Sequence, residues 1–313
     1  MACSVSIKLV MLLGIEGVFF STSYSRSASS YRKYFPVFDI SLGKGDRYYN
    51  KYYHDKISTH SKTAMFFRDL YEKNKLLNTK ISSKVRIPRI IHQIWLGSRL
   101  PKKYKKWQST WQSLPGFTYK LWTDEEVKRL QLINRDLFEA AKTYGQKADL
   151  LRIELLNQFG GLYVDMDFEC INPEVFAFLH HSYDFYTGIT PVDCSTFGVN
   201  NAIIGATKGH RILVEYIRAI RKNWHKPADG IFSEVVLKTG PGLFTKMFLK
   251  HANKTTLDIA FPPTVFYPLG LRQINFIEKY FGSVKRAVIK PESAAIHWWA
   301  QAWKKRVKKQ KKI

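Results

Sequence analysis

Short apolar runs of β-forming residues alternate along this chain with longer segments whose apolar residues recur every three or four positions, as strands alternating with helices would produce. Arg89–Trp95 (RIIHQIW) is dense in β-branched and aromatic residues and stops at Gly97, which predicts a buried strand. Thr118–Trp122 (TYKLW) predicts a second, shorter one. Thr123 then opens T-D-E-E-V, an N-cap followed by acidic residues that suit the positive end of a helix. Ala148–Phe159 reads as a helix closed by Gly160 and Gly161, and Leu162–Val164 as the strand that follows. His210–Asn223 reads as a strongly amphipathic helix. Such alternation argues for an α/β fold with a mainly parallel sheet, its core beginning near Val85.

The N-terminal part has a different pattern. Leu9–Phe20 is an apolar run of twelve residues behind Lys8, interrupted by Glu16. A bilayer span needs about 20 residues, so the length suits the apolar stretch of a secretory signal, with a short signal anchor or a buried helix as alternatives. Ser21–Ser30 holds six serines in ten residues, a linker composition. Tyr31–Lys84 is basic and Tyr-rich without a clean period and reads as a stem or an irregular N-terminal subdomain. The expected organisation is a signal sequence or short signal anchor (1–20), a stem or linker (21–86), one main domain (87–303) and a Lys-rich tail (304–313).

Charge narrows the partners. Fifty Lys and Arg against 25 Asp and Glu give a net +25, which favours a polyanion: phosphates, nucleic acid or an anionic membrane. The flanks hold most of it: residues 1–86 carry +9 and the last ten residues +7. The middle is only moderately basic, and the tail reads as a solvated end rather than a specific nucleic-acid arm. Three cysteines exclude a disulfide-rich scaffold and any CxxC zinc module, while Cys170 and Cys194 could pair in an oxidising compartment. No GxSxG, HExxH or P-loop pattern is present, and Gly43–Gly45 lacks the preceding strand of a phosphate cradle. Asn253-Lys254-Thr255 is a glycosylation sequon, usable where that loop is luminal.

The segment richest in chemistry is Ala148–Asp167, ADLLRIELLNQFGGLYVDMD. Asp149 and Arg152 share a helix face. The glycines end the helix, and a short apolar strand delivers Asp165 and Asp167 at its C-terminal end, where open α/β sheets bind ligands. Two acids with one residue between them at such a place suit a hard divalent cation, which can neutralise a diphosphate. A D-x-D alone is weak evidence, and the helix–GG–strand context gives it weight.

IPRIIHQIWLG (Ile87–Gly97), ADLLR (Ala148–Arg152) and GGLYVDMD (Gly160–Asp167) together resemble the DXD glycosyltransferases of the family 32 type. That group includes fungal outer-chain and inositol-phosphoceramide mannosyltransferases and bacterial capsule enzymes, and its motifs are similar to the catalytic domain of clostridial glucosylating toxins. NNAIIGATKGH (Asn200–His210), TGPG (Thr239–Gly242) and HWWAQAW (His297–Trp303) agree with it, so the resemblance covers roughly 87–303. It implies a GT-A type fold, Rossmann-like, with a mostly parallel sheet flanked by helices and preceded by an N-terminal extension. It also implies a nucleotide-sugar donor, GDP- or UDP-linked, a Mn²⁺ or Mg²⁺ cofactor and retention of the anomeric configuration.

Carried over residue by residue, the resemblance assigns Trp95 to the donor base and Asp149 with Arg152 to the sugar and phosphate side. It assigns Tyr163 to a donor contact, Asp165 to the ribose or sugar side and to the metal, Asp167 to direct metal ligation, His297 to completing the metal site and Trp303 to the diphosphate. Without it, Trp95 and Tyr163 also read as packing residues, Asp149–Arg152 as a helix ion pair and His297 as a structural histidine. One departure stands out: the family pattern commonly ends in Ser-Trp, and this chain has Ala302–Trp303.

The expectation is a metal-dependent glycosyltransferase using Asp149, Arg152, Asp165 and Asp167 in catalysis. Its acceptor is a hydroxyl on a glycan, glycolipid or protein, and its place is the secretory pathway or a membrane, Golgi-like in a eukaryote. No specific nucleic acid is expected. The alternatives are a non-catalytic basic binder of nucleic acid or anionic surfaces, and an inactive relative.

Overall fold

A computed structural model describes residues 28–42, 62–75, 84–191, 194, 197–227, 230, 234–252, 256–271, 273 and 288–300. Leu9–Phe20, Gly43–Gly45, the Asn253–Thr255 sequon, Ala302, Trp303 and the Lys304–Ile313 tail lie outside the described residues. Eight strands are described: β1 (Ile90–Ile94), β2 (Thr118–Trp122), β3 (Gly161–Val164), β4 (Phe168–Cys170), β5 (Phe185–Ile189), β6 (Val199–Ala206), β7 (Asp258–Phe261) and β8 (Ala295–His297).

Six strands form one sheet in the order β2-β1-β3-β6-β5-β7. Strand β6 is antiparallel to both β3 and β5, while β1 with β2, β1 with β3 and β5 with β7 are parallel. Five of the six strands therefore run the same way, with helices against the sheet. This is the mostly parallel α/β arrangement, flanked by helices, expected from the sequence. Strands β5, β6 and β7 are buried along their whole length, which explains their continuous apolar runs. At the edge, β2 alternates exposed and half-buried positions up to a buried Trp122. A second sheet pairs β4 antiparallel with β8, Phe168 opposite His297.

Helix Tyr144–Phe159 sits behind the site. From Asp149 to Leu156 every residue is buried, because the helix packs against the sheet on one side and helix Arg211–Asn223 on another. Its leucines Leu151, Leu155 and Leu156 are fully buried, each contributing about 1.5–3 kcal/mol by removal from water. It ends at Gly160 (φ +65°) and passes directly into β3 through Gly161 (φ +106°), with no loop between. At Gly161 a Cβ would lie 2.5 Å from the Ile90 carbonyl oxygen, so only glycine lets β3 start against β1 here.

Within the span read as stem or subdomain, residues 28–42 and 62–75 pack into the same core as the sheet. Tyr31, Tyr34, Phe38, Phe67, Leu70 and Tyr71 are all at most 2% exposed. The Tyr31 ring stacks on Phe178 at 4.4 Å, and the Asn74 amide donates to the Asp258 carbonyl of β7 at 2.8 Å. Cys170 and Cys194 are not joined to each other by a disulfide.

Candidate active site

The site lies at the C-terminal end of β3. Val164 pairs with Ile203, and the Asp165 amide donates to the Ala202 carbonyl at 2.8 Å. Because β6 runs antiparallel, its first residues lie beside the last residues of β3, so Asn200 and Asn201 arrive at the same edge as Asp165. A turn through Met166 and Asp167 then leads into β4, whose partner β8 ends on His297. Two segments 130 residues apart in sequence thereby bring Asp165, Asp167 and His297 together.

Each of these three residues offers a ligand atom within 4.8 Å of the others. The Asp165 side chain is 28% exposed, Asp167 13% and His297 8%, so the cluster opens outward on the Asp165 side. The His297 Nε2 lies 3.0 Å from Asp167 Oδ1, and the Ala300 backbone N–H donates to Oδ2 at 2.7 Å. The imidazole stacks on Phe168 at 4.5 Å, which fixes its plane. Its Nδ1 is buried and has no hydrogen-bond partner among the described residues. Two carboxylates and an imidazole form a donor set that fits a divalent cation of the Mn²⁺ or Mg²⁺ kind, and the uncommitted nitrogen marks the polar environment as incomplete.

Arg152 supplies the positive charge behind the acids. Its Nη2 is 3.1 Å from Asp149 Oδ1 and its Nη1 3.3 Å from Asp165 Oδ1, with Nη1 also donating to the Asn201 carbonyl at 2.7 Å. The guanidinium lies 4.7 Å above the Tyr163 ring, and the Tyr163 hydroxyl donates to Asp165 Oδ1 at 2.5 Å. Burial opposes the charge of Arg152, but Asp165 and Asp149 more than offset it and hold the guanidinium protonated.

The acids respond differently to burial. For Asp165 burial dominates and, together with the neighbouring Asp167, raises its carboxyl despite the pull of Arg152. For Asp167 burial also raises it, but His297 and the Ala300 N–H outweigh this, and the carboxyl is held below the ordinary range. Burial pushes Asp149 up to about 7, against Arg152 and the donors Thr239 and Asn201.

Asp149 does not face the opening. It is 4% exposed, and it accepts from Asn201 Nδ2 at 2.8 Å, from Thr239 Oγ1 at 3.0 Å and from Arg152. Tyr216 in turn donates to the Thr239 and Gly240 carbonyls at 2.7 and 2.9 Å. Asn201, Thr239, Tyr216 and the Ala300 N–H were not singled out in the sequence, although the first two and Ala300 lie in motifs that marked the resemblance.

Trp95 follows β1 and is 7% exposed. It packs on Tyr104 at 4.8 Å within a cluster that includes Trp107 and Met166, the residue between the two acids. The structure thus brings Trp95, Asp149, Arg152, Tyr163, Asp165, Asp167 and His297 to one region.

The family described as "Glycosyltransferase sugar-binding region containing DXD motif" matches residues 99–182. Inositol phosphoceramide mannosyltransferase 3 of Schizosaccharomyces pombe is 30% identical over 183 residues, covering 55% of this chain and 48% of the relative. Mannosyl phosphorylinositol ceramide synthase CSH1 of Saccharomyces cerevisiae is 29% identical over 178 residues, covering 53% and 43%. The chain spans about half the length of the curated relatives it matches. Among solved structures, the catalytic domain of alpha-toxin from Clostridium novyi superposes with a TM-score of 0.44 at 11% identity, covering 76% of this chain and 86% of that one.

Proposed function

We propose, for a chain that carries the sugar-binding region of DXD glycosyltransferases over residues 99–182, that it is a metal-dependent glycosyltransferase. It moves a sugar from a GDP- or UDP-linked donor to a hydroxyl acceptor with retention. The observation that carries this reading is the convergence of Asp165, Asp167 and His297 at the end of β3, backed by the buried Arg152.

In this reading Asp165, Asp167 and His297 hold a divalent cation. When bound, that cation offsets the negative charge that develops on the departing diphosphate. Arg152 adds a positive charge held in place by four contacts, so it stabilises developing charge without reorganising. Asp149 acts behind it, fixing the guanidinium through contacts that leave its own carboxylate facing protein. Tyr163 orients Asp165 through its hydroxyl and supports the guanidinium with its ring. Trp95 is assigned to the donor base and Trp303 to the diphosphate, both on the strength of the family resemblance.

The names of the sequence relatives make mannose the first sugar to test and a hydroxyl on a lipid-borne inositol phosphate the first acceptor class. The place of action expected from the sequence, the secretory pathway or a membrane, belongs to the same reading. Among the described residues no helix is long and apolar enough to cross a membrane. A purely basic binder would leave the converged acids without a role.

The test uses the full chain, because Tyr31, Tyr34, Phe67 and Tyr71 belong to the same core as the sheet. Incubation with GDP-mannose, UDP-glucose and related donors plus Mn²⁺ should release nucleoside diphosphate from one of them. No release from any donor, with or without an acceptor lipid, would end the proposal.

A further inference from the structure

Between Glu72 and Asp124 the chain has no acidic residue and twelve basic ones. The structure gathers five of these, Arg99, Lys102, Lys103, Lys105 and Lys106, at and just before the N-terminal half of helix Lys102–Gln112, and all five are exposed. At 100° per residue the four lysines cover one arc of the helix, while Tyr104, Trp107 and Trp111 cover the opposite arc and are buried. Among the described residues none of the five has an ion-pair partner within 4.0 Å. Two acids on neighbouring segments, Asp124 and Glu169, accept from the Gly97 backbone N–H and Trp298 Nε1.

This arrangement runs against the helix's own preference. The first turn holds no acid, so the lysines add to the positive pole of the helix dipole and destabilise it. Local rules are broken in this way where a function needs it. The arc also borders the candidate site. Lys106 Nζ lies 4.9 Å from the Trp107 ring and 6.0 Å from that of Trp298, whose backbone N–H donates to the Asp167 carbonyl at 2.9 Å.

We propose that Arg99, Lys102, Lys103, Lys105 and Lys106 form a docking face for an anionic lipid surface, seating the membrane beside the Asp165–Asp167–His297 site. Charge complementarity selects the partner, because a cluster of this size on a helix edge is what phosphate headgroups attract. A single-stranded nucleic acid is disfavoured because its bases need exposed aromatic platforms, and Tyr104 and Trp107 turn their rings inward. The placement deepens the sugar-transfer reading, since an acceptor carried by the lipid would arrive at the site's edge. The docking itself does not depend on turnover.

The experiment compares the full wild-type chain with K102Q/K103Q/K105Q/K106Q on phosphatidylcholine vesicles with and without about 30 mol% phosphatidylserine, at an ionic strength of roughly 0.1 M. Any contribution from other segments is common to both chains and cancels in their ratio. The variant should bind the anionic vesicles at least about tenfold more weakly and the neutral vesicles equally. Its melting temperature should not fall, since it loses positive charge from the helix N-terminus, and its hydrolysis of a soluble donor should be unchanged. An Asp167→Asn chain should bind vesicles like wild type, which separates failure of docking from failure of the enzymatic reading. Binding of the lysine variant within about twofold of wild type overturns the proposal. So does an equal loss on neutral vesicles, or loss of oligonucleotide binding with vesicle binding retained.

Discussion

Asp167→Asn tests the site with the least disturbance of the fold. The sequence alone places Asp167 at a strand end, facing a ligand, where even Asp167→Ala would cost little stability. The structure gives the side chain a second task, because Oδ2 receives the Ala300 N–H and Oδ1 faces His297 Nε2. Alanine would leave two buried donors unpaired, at about 1–3 kcal/mol each. Asparagine keeps an oxygen for Ala300 and turns an amide toward a His297 nitrogen that can accept, so its stability cost should stay near 1 kcal/mol. Turnover should fall on the order of a thousandfold, which corresponds to about 4 kcal/mol of lost transition-state stabilisation once the charged ligand is gone. Urea unfolding gives the first quantity, and nucleoside diphosphate release from the identified donor gives the second. A folded Asp167→Asn chain that retains turnover within about tenfold of wild type would remove Asp167 from the metal site.

Three further outcomes are expected. Excess chelator should abolish donor turnover and added Mn²⁺ should restore it, so full activity in chelator contradicts the assignment of Asp165, Asp167 and His297. Asp149 has a folded pKa raised to about 7, so its contribution to stability is complete below its unfolded value near 4 and is lost as pH rises through 7. Asp149→Asn should therefore gain stability relative to wild type between those pH values, and a difference that stays constant by urea unfolding at pH 4.5, 6 and 8 would refute this. Gly161→Ala should destabilise the fold by several kcal/mol, through a strained φ of +106° and a Cβ 2.5 Å from the Ile90 oxygen, and a thermal melt within a few degrees of wild type would contradict it.

The elements legible in the sequence are those whose signals are local. Strand β2 and the T-D-E-E start appear where the pattern put them, the latter as a capping box between Thr123 and Glu126. The helix read as Ala148–Phe159 begins a turn earlier, at Tyr144, because Thr143 accepts from the Gln146 N–H and caps it outside the apolar stripe. His210 stands just before its helix as the cap, its ring nitrogen accepting from the Ile212 N–H. The Asp-x-Asp placement was legible for the same reason, since two glycines and the three strand residues after them determine where the acids emerge. Beyond its i,i+3 neighbour Arg152, what Asp149 touches was not legible: its partners Asn201 and Thr239 lie 52 and 90 residues away, on elements that meet only in the folded sheet. Nor could a Tyr-rich segment without a period reveal that Tyr31 would stack on Phe178.

The closing segment around His297 shows how the site is held together. The backbone N–H groups of Trp298 and Ala300 both reach Asp167, one its carbonyl at 2.9 Å and the other its carboxylate at 2.7 Å. The residue between them, Trp299, has a φ of +50°, the one positive value among the described non-glycine residues. A left-handed conformation costs a side-chain-bearing residue about 1–2 kcal/mol. The surroundings offset it: Trp299 Nε1 donates to the Leu269 carbonyl at 2.8 Å, and the indole packs 4.1 Å from the His297 ring. Strain kept in this way is characteristic of sites where the backbone must present particular groups. Here the turn at Trp299 allows one short segment to supply an imidazole and two N–H donors to the same acid. The acid that the DXD motif announces is therefore shaped from the other end of the chain, which explains why the motif needs the HWWA segment to become a site.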